Sequence, residues 1–197
     1  MVVMSVAGLN VALPSLQEDL RASATELQWI IDAYALVFAA LLLPAGALGD
    51  RFGRKRALLL GLFIFALGSL VGGIGTNATQ IIAGRIINGI GAAFVMPATL
   101  SLITTIFPPE ERSKAIALWA GFAGGGAALG PIVSGGLLER FWWGSAVPVN
   151  APIVLAVIPA GAVFAPPAKD PRAPPPPPTR PPPPPVGPAR PGLRQPP

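Results

Sequence analysis

The chain has no cysteine, no histidine and a single tyrosine among its 197 residues, and only 12% of them are charged. Each shortage removes chemistry. Without Cys there is no disulfide framework and no thiolate nucleophile. Without His there is no Ser-His-Asp triad, and with both missing there is no His or Cys zinc site. Cysteine usage therefore says nothing about compartment. A Walker A phosphate loop is also missing, and no convergent polar constellation of an enzyme stands out, so the sequence reads as a non-enzyme with no cofactor or metal. A soluble domain typically carries about 25% charged residues, so this chain has about half the usual supply for a solvated surface.

In place of charge the chain has apolar residues and proline. Hydrophobic residues make up 52% of the sequence, and the mean hydropathy is +0.60. Proline numbers 26, with 14 of these in the last 24 positions. The composition divides at that point into an apolar body, residues 1–172, and a Pro-rich tail, residues 173–197. The net charge of +5 is not a nucleic-acid signal. The cations sit in short clusters between apolar runs, without a basic helix face or interleaved aromatics.

About 20 apolar residues carry a helix across roughly 30 Å of hydrocarbon. Runs near that length are Leu27–Leu48, Ala57–Gly75, Gln80–Phe107, Ala115–Leu138 and Ala146–Ala165. A sixth run, Met1–Leu13, is shorter, at about 20 Å of helix. No Lys or Arg precedes it, so it does not read as a signal peptide; the expectation is a first helix with a truncated start. Counting Lys and Arg only, the second and fourth loops carry six and the odd loops two. By the positive-inside rule both termini are cytoplasmic. Trp142 and Trp143 then fall at the outer interface, where an aromatic belt is expected. The fold class is all-α: six transmembrane helices followed by a disordered tail. Asn77-Ala78-Thr79 matches a glycosylation sequon but is pinned to the membrane face. Gly73-Ile74-Gly75 and Gly89-Ile90-Gly91 lie within apolar runs rather than after strands, so neither reads as a dinucleotide loop.

The most informative stretch is Gly46-Ala47-Leu48-Gly49-Asp50-Arg51-Phe52-Gly53-Arg54-Lys55-Arg56. Two helices joined by so few residues turn sharply, which Gly49 and Gly53 permit, and Asp50 among four cations can brace the turn. A positive-inside anchor accounts for the cations but not for the Gly and Asp spacing. With this loop the chain resembles the major facilitator superfamily. Further motifs agree in order. Asn10-Val11-Ala12-Leu13-Pro14 resembles the end of helix one in the drug:proton antiporter branch, and Trp29-Ile30-Ile31-Asp32-Ala33-Tyr34 the opening of helix two. The stretch Arg85-Ile86-Ile87-Asn88-Gly89-Ile90-Gly91-Ala92-Ala93 resembles the helix-four motif, with Asn88 where Gln is usual. Gly130-Pro131-Ile132-Val133-Ser134-Gly135-Gly136 resembles the helix-five antiporter motif, preceded by Gly126. Phe141-Trp142-Trp143-Gly144-Ser145, with Asn150 and Pro152, resembles the fourteen-helix multidrug efflux subgroup.

The resemblance implies proton-coupled efflux of small drug-like compounds in the cell membrane, with the lipid bilayer, protons and a small-molecule substrate as partners. It also implies a conformational role for Gly46, Asp50, Arg51, Gly53, Arg54, Lys55 and Arg56. A bend near Pro131, within the motif Gly126, Gly130, Gly135 and Gly136, would help to control antiport. Gly121 and Gly125, then Gly126 and Gly130, are spaced i and i+4, which lets another helix approach closely; a plain packing face accounts for these glycines almost as well. Asp32 is the acidic residue within the apolar runs, and Arg85 is a charge that costs at least a few kcal/mol in hydrocarbon. They lie about 27 Å and 33 Å above their inner boundaries, at similar depth. Asp32 is thus the candidate proton-titrating carboxylate and Arg85 its electrostatic partner; the plain alternative is a solvated interfacial Asp32. Where the branch usually has an Asp in helix one, this chain has Ser5. The superfamily works with two six-helix halves, and these motifs describe one. The alternative function is therefore a non-transporting fragment, or a half-transporter that depends on a partner half. The tail reads as an extended polyproline segment, a ligand for an SH3-like domain, or the product of a shifted reading frame in a GC-rich gene.

Overall fold

A computed structural model describes residues 2–138, which form five helices and, among those residues, no strand. They are α1 (Val2–Leu20), α2 (Ala24–Phe52), α3 (Arg54–Gly73), α4 (Ala78–Ile106) and α5 (Pro109–Leu138). Helices α2, α3, α4 and α5 are long and apolar enough to cross a membrane. The run Ala146–Ala165, Trp142, Trp143 and the Pro-rich tail lie outside the described residues, so the expected sixth helix is not among these five.

Each boundary has a local cause. Ser23 caps α2 with a full capping box: its hydroxyl accepts from the Glu26 amide while the Glu26 side chain accepts from the Ser23 amide. Asn77 caps α4 by accepting from the Gln80 amide at 2.9 Å. Helix α4 stops because Pro108 biases Phe107 to an extended conformation, φ −92° and ψ 136°. Pro109 then opens α5 at the first helical position, where no amide is needed. Between α2 and α3 only Gly53 is non-helical, with φ +102°, a region that an L side chain rarely adopts.

The first helix is longer than its apolar run. It passes through Pro14 and ends at Leu20, about 28 Å in all. Proline costs the helix one backbone hydrogen bond, but tertiary packing on both sides holds the helix together. Leu9, Ala12 and Leu16 are buried against Ala22, Ile30, Ala78 and Ile81, with Leu13 and Leu20 packed on the same cluster. Glu18 and Asp19, beyond the apolar run, belong to the last turn of this helix.

Helices α2, α3 and α4 pack tightly, α4 lying against both of the others, whereas α1 packs chiefly along α5. A second apolar cluster joins Tyr34, Leu58, Leu62, Phe65, Ala92 and Val95 at the centre of the first group. The α3–α4 seam is set by glycine. A Cβ on Gly84 would sit 2.6 Å from the Gly72 amide nitrogen, and one on Gly91 would sit 2.7 Å from the Gly61 carbonyl oxygen. Backbones that approach so closely exclude any side chain, which is how small residues stabilise helix pairs where no hydrophobic force distinguishes lipid from protein.

Candidate functional site

Two features converge polar groups inside the apolar bundle. The first is centred on Arg85 of α4, which is only 2% exposed. Its Nε donates to the Ile30 carbonyl of α2 at 3.1 Å, and its Nη1 donates to Ser5 Oγ of α1 at 3.4 Å. The guanidinium lies over the Tyr34 ring, with Cζ 4.4 Å from the centroid, a cation–π geometry. Its Nη2 has no partner among the described residues. One turn further along α4, Asn88 is buried at 1% exposure and meets Ser69 of α3 at 3.3 Å. Ser69 has one hydroxyl proton, and the Phe65 carbonyl lies 3.0 Å away. With the Asn88 amide turned over, its nitrogen donates to Ser69 while Ser69 donates to Phe65, and the other amide atom is left buried without a partner among the described residues. Gly68 leaves the space for the Asn88 side chain.

Arg85 and Asp32 stand at the same level of the bundle, since Arg85 reaches Ile30, two residues from Asp32. They do not meet. Ile30, Ala33 and Tyr34 are the buried face of α2, and Asp32 is turned away from that face by the helical repeat. It lines a shallow cleft with Thr25, Gln28, Trp29 and Leu36. The direct electrostatic pairing expected of these two residues is absent, because α2 presents backbone and Tyr34 to Arg85 and its carboxylate to the opposite side.

The second feature is the corner between α2 and α3. Arg54 Nε pairs with Asp50 Oδ1 at 3.2 Å across Gly53. Arg54 Nη1 crosses to α4, donating to the Ser101 carbonyl at 3.2 Å and to Thr105 Oγ1 at 2.5 Å. Arg51 lies over the neighbouring Phe52 ring. Gly46 faces Pro97 of α4 and Gly49 faces Ala57 of α3, so the motif brings three helix ends together in one cleft lined by Gly46, Gly49, Asp50, Arg54, Pro97 and Ser101. Lys55 also makes an interaction, and Arg56 is exposed.

The sequence model of the Major Facilitator Superfamily matches residues 1–197. The chain belongs to that superfamily. This superfamily member is 47% identical over 166 residues to the methyl viologen resistance protein SmvA of Salmonella typhimurium, covering 84% of this chain and 34% of SmvA. It is 46% identical over 164 residues to the multidrug efflux pump LfrA of Mycolicibacterium smegmatis, covering 83% and 32%. It is 36% identical over 174 residues to the tetracenomycin C resistance and export protein of Streptomyces glaucescens, covering 88% and 32%. The chain thus spans about a third of the length of the curated relatives it matches. A crystal structure of the peptide transporter POT in complex with sulfate shares the fold, with a TM-score of 0.61 at 14% identity over 82% of this chain and 35% of that one.

The glycines of α5 divide into two sets. Gly130 is buried where α5 crosses α1: a Cβ on Gly8 would lie 3.2 Å from the Gly130 carbonyl oxygen and would overlap Ser134. Gly135 faces Val11 at the same seam. Gly121, Gly124, Gly125 and Gly136 have open space where a Cβ would go, so the expected close approach of another helix at Gly121 and Gly125 does not occur among the described residues. Pro131 lies within α5 next to the crossing. Sequence reasoning missed Ser69 and the seam glycines Gly61, Gly68, Gly72 and Gly84. Their signal was there in the spacing, since seven and four residues return a helix to nearly the same face.

Proposed function

We propose that this chain forms the N-terminal part of a proton-driven exporter of small drug-like compounds in the cell membrane, with both ends of the chain on the cytoplasmic side. The observation that carries the reading is Arg85, a fixed charge 2% exposed inside a helix apolar enough to span the membrane. Charges are kept in such places to act on substrates, ions or protons. The relatives bear names of resistance and efflux proteins, SmvA and LfrA among them, which supports export of organic compounds. Asp32 is the proton carrier in this scheme. It sits in α2 without a hydrogen bond or ion pair to the described residues, so its protonation need break no structural contact. The α2–α3 corner, with Asp50 and Arg54, links the inner ends of α2, α3 and α4 and serves as the conformational element. Gly130, Pro131 and Gly135 lie at the α1–α5 crossing, and with Gly126 and Gly136 they form the stretch of α5 on which antiport control depends.

A second reading is favoured by the length relation. A chain that matches a third of its relatives acts as a partner-dependent half, or does not transport by itself. Both readings are tested by expressing two proteins in a methyl viologen-sensitive host. The chain alone is expected to confer no resistance. A chimera carrying its 166 matched residues in place of the corresponding segment of SmvA is expected to restore resistance. Asp32→Asn in that chimera should abolish resistance while leaving the protein in the membrane. Unchanged resistance in the Asn variant overturns the role given to Asp32, and an inactive chimera overturns export by this segment.

A further inference from the structure

Among the described residues Arg85 is the buried polar group that carries a charge, and none of them supplies a compensating one. An arginine keeps its proton under all ordinary conditions and offers five donors. Here Nε is satisfied by the Ile30 carbonyl, Nη1 by the Ser5 hydroxyl and the flat face by the Tyr34 ring, all of them neutral. Among the described residues Nη2 is buried without a partner, and no carboxylate pairs with the guanidinium. Asp32, the acid at this level, lines the cleft on the other side of α2. Asn88 also keeps an unpartnered buried amide atom, but it is neutral, whereas no rotation of Arg85 creates a negative charge beside it. Removing one partner of a buried ion pair is among the most destabilising arrangements in proteins, and an unpaired guanidinium in an apolar bundle is its equivalent.

The weak side of this enclosure is α1. At 3.4 Å the Ser5 hydrogen bond is beyond the usual N–H···O range. Helix α1 packs chiefly along α5 and only sparsely against α2. A modest shift of α1 therefore opens the Nη1 and Nη2 edge of the guanidinium, which is the edge that binds an anion in parallel hydrogen bonds.

We propose that Arg85 is the receptor for a small monoanion, either the carboxylate of an exported compound or a halide ion, bound between α1 and α4 in place of the Ser5 contact. Its assignment as cargo rests on the export reading above, whereas binding itself does not. A carboxylate introduced at position 5 would reach the guanidinium and occupy this site from within.

The test reads binding without transport. The full chain in detergent micelles is heated in sodium benzoate or sodium chloride, with ionic strength held constant by a bulky sulfonate salt. Either anion at about 100 times its dissociation constant is expected to raise the Tm by roughly 5–10 °C. Benzoate alone stabilising the protein identifies a carboxylate site; chloride also stabilising it identifies a halide site. Ser5→Asp should abolish the response, and Ser5→Asn, neutral and of the same shape as Asp, should retain it. Arg85→Gln, if it folds, should show no response. The proposal is overturned if neither anion shifts the wild-type Tm, or if Ser5→Asp responds as the wild type does. Failure of the SmvA chimera to transport would leave this result standing, so the two readings fail separately.

Discussion

Helix α4 lies so close to α3 that at Gly84 and Gly91 a single methyl group would collide with backbone atoms, whereas α5 has glycines at 121, 124 and 125 that face open space. Both helices are glycine-rich, apolar and 29–30 residues long. The difference lies in whether a neighbour supplies a matching small residue. On α3, Gly61, Gly68 and Gly72 do so, and the two backbones interlock. On α5, among the described residues, only the stretch around Gly130 and Ser134 meets such a partner, Gly8 of α1. Glycine content alone therefore does not make a helix seam. Two glycine faces in register do.

The comparison can be broken most forcefully at its tight side. Gly84→Leu places a side chain within 3 Å of Gly72 and Gly68 and should cost about 3 kcal/mol or more, the upper end of overpacking, measured by denaturant unfolding in micelles. A smaller effect is expected from Gly8→Val at the α1–α5 seam, where Ser134 can rotate aside. About 1–3 kcal/mol should be lost, with hydrogen exchange accelerating in α1 and α5 but not in α3 and α4. Equal acceleration in all of them would show that the two groups are one packing unit. The smallest effect sharpens the contrast. Gly121→Ala adds a methyl where nothing lies within 4 Å and should leave the protein unchanged or more stable by about 0.5–1 kcal/mol, the helix-propensity gain over glycine. A loss there would mean that a neighbour beyond residue 138 covers this face.

Much of this architecture was legible in the apolar runs and caps. Four of the runs became α2 to α5 with ends displaced by at most six residues, because caps such as Ser23 and Asn77 lie outside the apolar stretch that they terminate. The first helix was misjudged at Pro14, where burial of Leu9, Ala12 and Leu16 outweighed proline's local penalty. The corner motif was legible as a tight turn, but its reach to Ser101 and Thr105 was not, since it joins residues 47 and 51 positions apart. The shared level of Asp32 and Arg85 followed from counting residues. Their opposite orientation was also in the sequence, as the phase between Asp32 and the buried Ile30, Ala33 and Tyr34, but depth was read without phase. Ser5 stood out as a departure from the family's pattern. Its meeting with Arg85, 80 positions away, needed the fold.

Helix α4 is held at two distant points, by Arg54 on the Ser101 carbonyl near one end and through its own Arg85 on Ile30 near the other. The two anchors are 16 residues apart, about 24 Å along the axis, with Pro97 between them. A rod pinned at both ends cannot slide; it can only pivot or flex. The missing backbone hydrogen bond at Pro97 makes that the point of least stiffness. Whatever displaces Arg85 thus works on a lever whose far end is the Asp50–Arg54 corner, and a sub-ångström displacement at the guanidinium becomes a rotation at that turn.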